Sequence, residues 1–93
     1  MKFVMLAKVT PYGAQNREER GRRALENATR LDLKIECLYY TGGPYDLVEI
    51  LEGPNWEAAY AQAMWFKKQG YGEMNVMPCV DGETNARIDA ENV

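Results

Sequence analysis

The apolar and polar positions divide the chain into six structured stretches. Residues 3–10 are almost continuously apolar up to Lys8, which reads as a strand, and Pro11-Tyr12-Gly13 is turn chemistry that stops it. From residue 15 to about 31 the chain is rich in Arg, Glu, Ala and Leu, all good helix formers. Gly21, Ala24, Leu25, Ala28 and Leu31 recur there at helical spacing, a stripe small enough to lie close against a sheet. Residues 33–41 carry Ile35, Tyr39, Tyr40 and Thr41 and read as a second strand. Gly42-Gly43-Pro44 reverses the chain into residues 45–52, where Val48 and Ile50 share one face and Leu47, Glu49 and Leu51 the other. Gly53-Pro54 breaks this strand, and Asn55 is suited to cap a helix from Trp56 to about Gln69, with Glu57 favouring its N-terminal dipole. Trp56, Ala59, Tyr60, Ala63 and Met64 form the expected apolar stripe of that helix, and Gly70 stops it. Residues 72–80 read as a last strand, which Pro78 assigns to a sheet edge. Residues 81–93 are polar and acidic, and read as a tail on a domain spanning 1–80.

The order β-α-β-β-α-β predicts an α+β, ferredoxin-like fold: an antiparallel sheet, strand order 4-1-3-2, with both helices on one face. The other face is left bare, and the alternation places Val4, Leu6, Leu47 and Leu51 on it. A naked apolar sheet face marks an interface, so a homodimer or higher oligomer is expected. Cys37 and Cys79 fall on opposite edge strands, roughly 14 Å apart at ~4.8 Å per strand, beyond disulfide reach.

Composition narrows the chemistry. None of the 93 residues is histidine, which removes Ser-His-Asp triads, Cys-His dyads, His-bound haem and most zinc sites. No Cys-x-x-Cys unit or cofactor motif is present, so neither a metal nor a cofactor is expected. The net charge of -3 divides unevenly: residues 1–34 are net +4 and residues 35–93 net -7. The basic excess sits in Arg17, Arg20, Arg22, Arg23 and Arg30, with Glu18, Glu19 and Glu26 interleaved. Pairs such as Glu18–Arg22 and Glu19–Arg23 suit a solvated helix face, and the alternative is a patch for an anion or a partner protein. No aromatic residue lies among these arginines to stack on bases, so nucleic acid is not an expected partner. No apolar run approaches the ~20 residues of a membrane span, and Lys8 arrives too early for a signal peptide, so a cytoplasmic location is expected.

The segment Leu38-Tyr39-Tyr40-Thr41-Gly42-Gly43-Pro44-Tyr45-Asp46-Leu47-Val48 resembles the signature of the GYD-domain family: Tyr and Thr near a strand end, then Gly-x-Tyr-Asp, then an apolar strand. Leu6-Ala7-Lys8-Val9-Thr10 before Gly13, and the Ala-rich helix after Pro54-Asn55, extend the resemblance over roughly residues 3–80. It implies a small, stand-alone, ferredoxin-like domain of the dimeric α/β barrel kind. The same hairpin is similar to the ligand-binding module of leucine-responsive (AsnC-type) regulators, where Thr-Gly-x-Tyr-Asp lies beside an effector pocket at a subunit interface. The chain has no helix-turn-helix, so only the sensing and oligomerising half would carry over.

Five residues are candidates for a site: Lys8, Tyr39, Tyr45, Asp46 and Glu49. Asp46 suits two roles, locking the turn through backbone N–H groups or facing a pocket at the dimer seam together with Tyr45. Lys8 and Glu49 are expected on the same open face of neighbouring strands, where they would pair or mark a polar site. Asn75, Tyr39 and Tyr40 could complete it. Three functions fit: a homo-oligomeric domain binding a small molecule at its seam, a non-catalytic subunit docking on a larger enzyme, and a histidine-free dimeric-barrel isomerase or monooxygenase. The third would have to use Tyr45, Asp46, Lys8 or Glu49 as acid and base. Nothing in the sequence demands catalysis, so binding is the preferred expectation.

Overall fold

A computed structural model describes residues 1–92. Four strands, β1 (Lys2–Val9), β2 (Lys34–Tyr40), β3 (Leu47–Glu52) and β4 (Gly72–Cys79), form one antiparallel sheet in the order β2-β3-β1-β4. This is the ferredoxin-like order expected, with β4 and its Pro78 at one edge and β2 at the other. Cys37 and Cys79 lie on those opposite edges and are free thiols.

The first helix differs from expectation at its start. Pro11 does not merely end β1: it opens a short helix, α1 (Pro11–Gln15), because Thr10 caps it by accepting from the Gly13 N–H and proline is preorganised for a first helical turn. Asn16 then hands the chain to α2 (Arg17–Arg30). Gly13 is required here, since any Cβ would collide with the Tyr71 carbonyl oxygen. The buried face of α2 is Arg20, Asn27 and Ala28, whereas Gly21 and Leu25 point to solvent. In α3 (Trp56–Lys68) the buried face is Ala58, Ala59, Gln62 and Phe66. Trp56, Tyr60 and Met64, expected in its core stripe, are exposed. Asn27 donates to Gln62 at 2.7 Å, and Gln62 donates to the Ala24 carbonyl, so the two helices meet through a satisfied polar contact between small residues.

The core lies between helices and sheet. Phe3, Met5 and Ala7 of β1 face the helices, and antiparallel pairing puts Leu51, Glu49 and Leu47 of β3 beside them on the same side. Leu47 and Leu51 are therefore core residues rather than open-face residues, a correction of one strand parity. The open face carries Val4 and Leu6, as expected, together with Val48, Ile50 and Met77.

Residues 81–93, expected as a tail, instead contain a helix, α4 (Gly82–Glu91), though Val93 lies outside the described residues. Asp81 caps α4 through the Thr84 N–H at 2.7 Å, which holds the Asp81 carboxyl below its usual value. None of its residues is buried, so it adds nothing to the core. Among the described residues no helix is long and apolar enough to cross a membrane.

Candidate functional site

The β2–β3 hairpin is stitched to β1 rather than left as a free loop. Gly43 takes a positive φ of 101°, which lets the chain reverse in so few residues. Thr41 then closes the turn twice, its N–H donating to the Asp46 carbonyl and its hydroxyl to the Tyr45 carbonyl, both at 2.8 Å. Asp46 reaches across to β1 with two bonds: its N–H donates to the Ala7 carbonyl at 2.8 Å, and its Oδ2 accepts from the Val9 N–H at 2.7 Å. The carboxylate thus does what the turn-locking role of the sequence required. A charged acceptor bonds roughly twice as strongly as a neutral one. Asp46→Asn is therefore expected to lower stability by about 1 kcal/mol and to speed exchange of the Val9 amide proton, measured by urea unfolding and hydrogen exchange. Unchanged protection at Val9 would show that the bond is not formed in solution.

This stitching sends adjacent side chains to opposite sides of the sheet. Tyr45 lies over the open face, where its hydroxyl accepts from Asn75 Nδ2 of the far edge strand at 3.4 Å. Lys8 is on the same face, in register with Glu73, and Tyr39 is there too, beside Val48 and 66% exposed. Lys8, Tyr39 and Tyr45 therefore share the open face with Asn75, in the same layer as the apolar Val4, Leu6, Val48 and Ile50.

Asp46 and Glu49 do not join them. Asp46 lines an open cavity of about 220 Å³ on the helix side, together with Val9, Leu47, Tyr40, Ala14, Arg17 and Arg20. The expected pairing of Glu49 with Lys8 does not form, because Glu49 faces the helices and Lys8 the opposite side. Glu49 is only 7% exposed, lies in register with Met5 and Leu38, and has no ion pair or side-chain hydrogen bond among the described residues. Burial alone pushes its carboxyl up to about 6.

In the sequence the two arginines of the cavity belong to a basic cluster that suits a solvated helix face or a patch for an anion or partner protein. Arg23 pairs with Glu19 at 3.9 Å as expected, whereas Arg22 pairs with Glu26 at 3.1 Å rather than with Glu18. Arg20 differs. Its spacing from Ala24, Asn27 and Leu31 places it on the buried stripe, and it is 7% exposed, donating to the Gly13 carbonyl at 2.6 Å. Arg17 stacks over the Tyr40 ring at 5.4 Å. Among the described residues no cluster of metal-ligating side chains occurs.

Comparison with known proteins agrees with this architecture. A family model described as GYD domain matches residues 3–88. No curated protein matches. Among solved structures, 5-chloro-2-hydroxyhydroquinone dehydrochlorinase (TftG) from Burkholderia phenoliruptrix AC1100, in complex with 2,5-dihydroxybenzoquinone, is similar with a TM-score of 0.64 at 21% identity, over 90% of this chain and 98% of that one. The methylated RPA0582 protein is similar with a TM-score of 0.53 at 20% identity, over 87% of this chain and 82% of that one. At these identities the likeness is one of fold.

Proposed function

The chain belongs to the GYD-domain family, and from that premise we propose that it is a small homo-oligomeric ligand-binding domain without catalytic chemistry of its own. Two copies close their open sheet faces on each other as a dimeric α/β barrel, and a small polar molecule is held at the seam by Lys8, Tyr39 and Tyr45, with Asn75. The observation that carries this reading is the composition of the open face: Val4, Leu6, Val48 and Ile50 stay partly exposed, with a polar group in the same layer. Apolar surface of that kind gains about 25 cal/mol per Å² when covered, and an isologous pairing covers both copies at once. Native mass spectrometry of the purified protein tests this reading. A dimer or an even-numbered assembly is expected, carrying added mass if a ligand is retained. A monomer at micromolar concentration would remove the reading, and a stoichiometric complex with a larger protein would make the chain a docking subunit instead.

One observation favours a second reading, a histidine-free enzyme. TftG is a dehydrochlorinase of the same fold, and Glu49 has a carboxyl whose raised value of about 6 suits proton transfer near neutral pH. Against it, Glu49 does not line the cavity that Asp46 shares with the arginines.

A further inference from the structure

We propose a second binding site, separate from the seam, for a small hydroxy acid: a carboxylate and a hydroxyl group on a short apolar body. It is the cavity on the helix side of the hairpin, where Arg17, Arg20, Tyr40 and Asp46 converge. Arg20 is the unusual group. A guanidinium carries five N–H donors and is always charged, and burial normally requires a carboxylate beside it. Arg20 is 93% buried, yet its one hydrogen bond among the described residues is to the neutral Gly13 carbonyl. Neither Arg20 nor Arg17 forms an ion pair among the described residues, although other arginines of α2 do. Two cations thus border a cavity that contains one carboxylate, Asp46, leaving a net positive charge to be met by a monoanion.

The remaining walls define the rest of the ligand. The Asp46 carboxylate spends Oδ2 on the Val9 N–H, which leaves its second oxygen to accept from a ligand hydroxyl. That oxygen would repel a second carboxylate, so a dicarboxylate is disfavoured. Val9, Ala14 and Leu47 supply apolar wall, and Tyr40, already under the Arg17 guanidinium, supplies an aromatic one. At about 220 Å³ the cavity lies below the ~300–1,000 Å³ of pockets for drug-sized ligands, which suits a small acid. Guanidinium recognises carboxylate through paired, charge-assisted N–H bonds, so affinity depends on the acid being ionised.

The test is a titration of the intact protein, followed by backbone amide NMR, with lactate, 3-hydroxybutyrate and 4-hydroxybenzoate as probes. Propionate, butyrate, benzoate and the amide 4-hydroxybenzamide are the controls. At least one hydroxy acid is expected to bind saturably, shifting the amides of Val9, Ala14, Arg20 and Asp46, with its deoxy control weaker and the amide silent. Arg17→Met, at an exposed position, is expected to weaken binding at least roughly tenfold. Ala14→Leu, also at an exposed position, fills the cavity without removing a charge and is expected to abolish binding while the spectrum stays folded. Saturable shifts confined to Leu6, Lys8 and Asn75 would overturn this site and leave the seam reading standing. No saturable binding by any probe up to millimolar concentration would overturn it as well.

Discussion

Leu6→Asp is expected to convert the proposed face-to-face dimer into folded monomers. Leu6 sits in the middle strand region of the open face, in register with Val48 on one side and Asn75 on the other, and is already partly exposed in a single copy. In an isolated chain the aspartate is therefore hydrated and the fold, whose core is on the other side of the sheet, is left intact. In a face-to-face dimer the same carboxylate is buried twice, once from each copy, with Val4, Val48 and Ile50 around it and no partner assured. Desolvating an unpaired charge costs several kcal/mol, and symmetry counts it twice. At about 4 kcal/mol the dissociation constant rises roughly a thousandfold, enough to move a micromolar dimer wholly to monomer at ordinary concentrations. Size-exclusion chromatography with light scattering reads the mass, and the thermal unfolding transition reports whether the monomer is folded. Leu25→Asp, on the outer side of α2 where the leucine is 56% exposed, is the matched control and is expected to leave the mass unchanged. An unaltered assembly in Leu6→Asp would mean that the open face is not where copies meet.

The parts of this molecule that depend on local pattern were legible in the sequence. Element order, strand order and the edge position of β4 followed from alternation, turn residues and Pro78. What the pattern could not decide was parity and depth. Residues 47–51 read Leu-Val-Glu-Ile-Leu, apolar on both faces but for one glutamate, and that glutamate argues for an outward-facing set. The register with β1 decides otherwise, because Phe3, Met5 and Ala7 bring the larger core, and Leu51, Glu49 and Leu47 follow them inward. The same limit explains α3. Its aromatic residues looked like the core, but small side chains let the helix sit close to the sheet, so Ala58 and Ala59 were buried and Trp56 and Tyr60 pushed to the rim. In the site, Asp46 was readable because an Asx side chain after a glycine turn has backbone donors within reach. Arg20 was not, because a charged residue on an apolar stripe reads as solvated until the packing around it is known. The helix α4 carried a readable cap in Asp81 and an acidic first turn in Glu83, but no apolar stripe to go with them.

Glu49 gives the second large effect, and its sign follows from the direction of its shift. The carboxyl titrates at about 6 in the folded chain, against 4.5 when free of burial. Between those values the native state holds more protons than the unfolded state, so stability falls as pH rises. The favourable contribution is fully present below pH 4.5 and is lost through pH 6, leaving the folded state burdened by about 2 kcal/mol at neutral pH. Its cause is desolvation, since Glu49 is flanked in register by Met5 and Leu38 and meets no cation among the described residues. Glu49→Leu removes the charge and suits those neighbours. It is expected to raise stability by about 2 kcal/mol at pH 7.5, with a gain of about 8 °C or more in Tm for a domain of this size, and to change little at pH 4. Glu49→Gln keeps the shape but buries an amide, so about 1 kcal/mol is expected. Urea midpoints for the three proteins at pH 4, 6 and 7.5 decide it: the wild-type curve should fall away from the Glu49→Leu curve as pH rises. Parallel curves would mean that water or an unseen partner already solvates the carboxylate. If Glu49→Leu is both more stable and unimpaired in assembly and in ligand binding, the acid serves neither of them, and the histidine-free enzyme is then tested by turnover of the variant against the wild type.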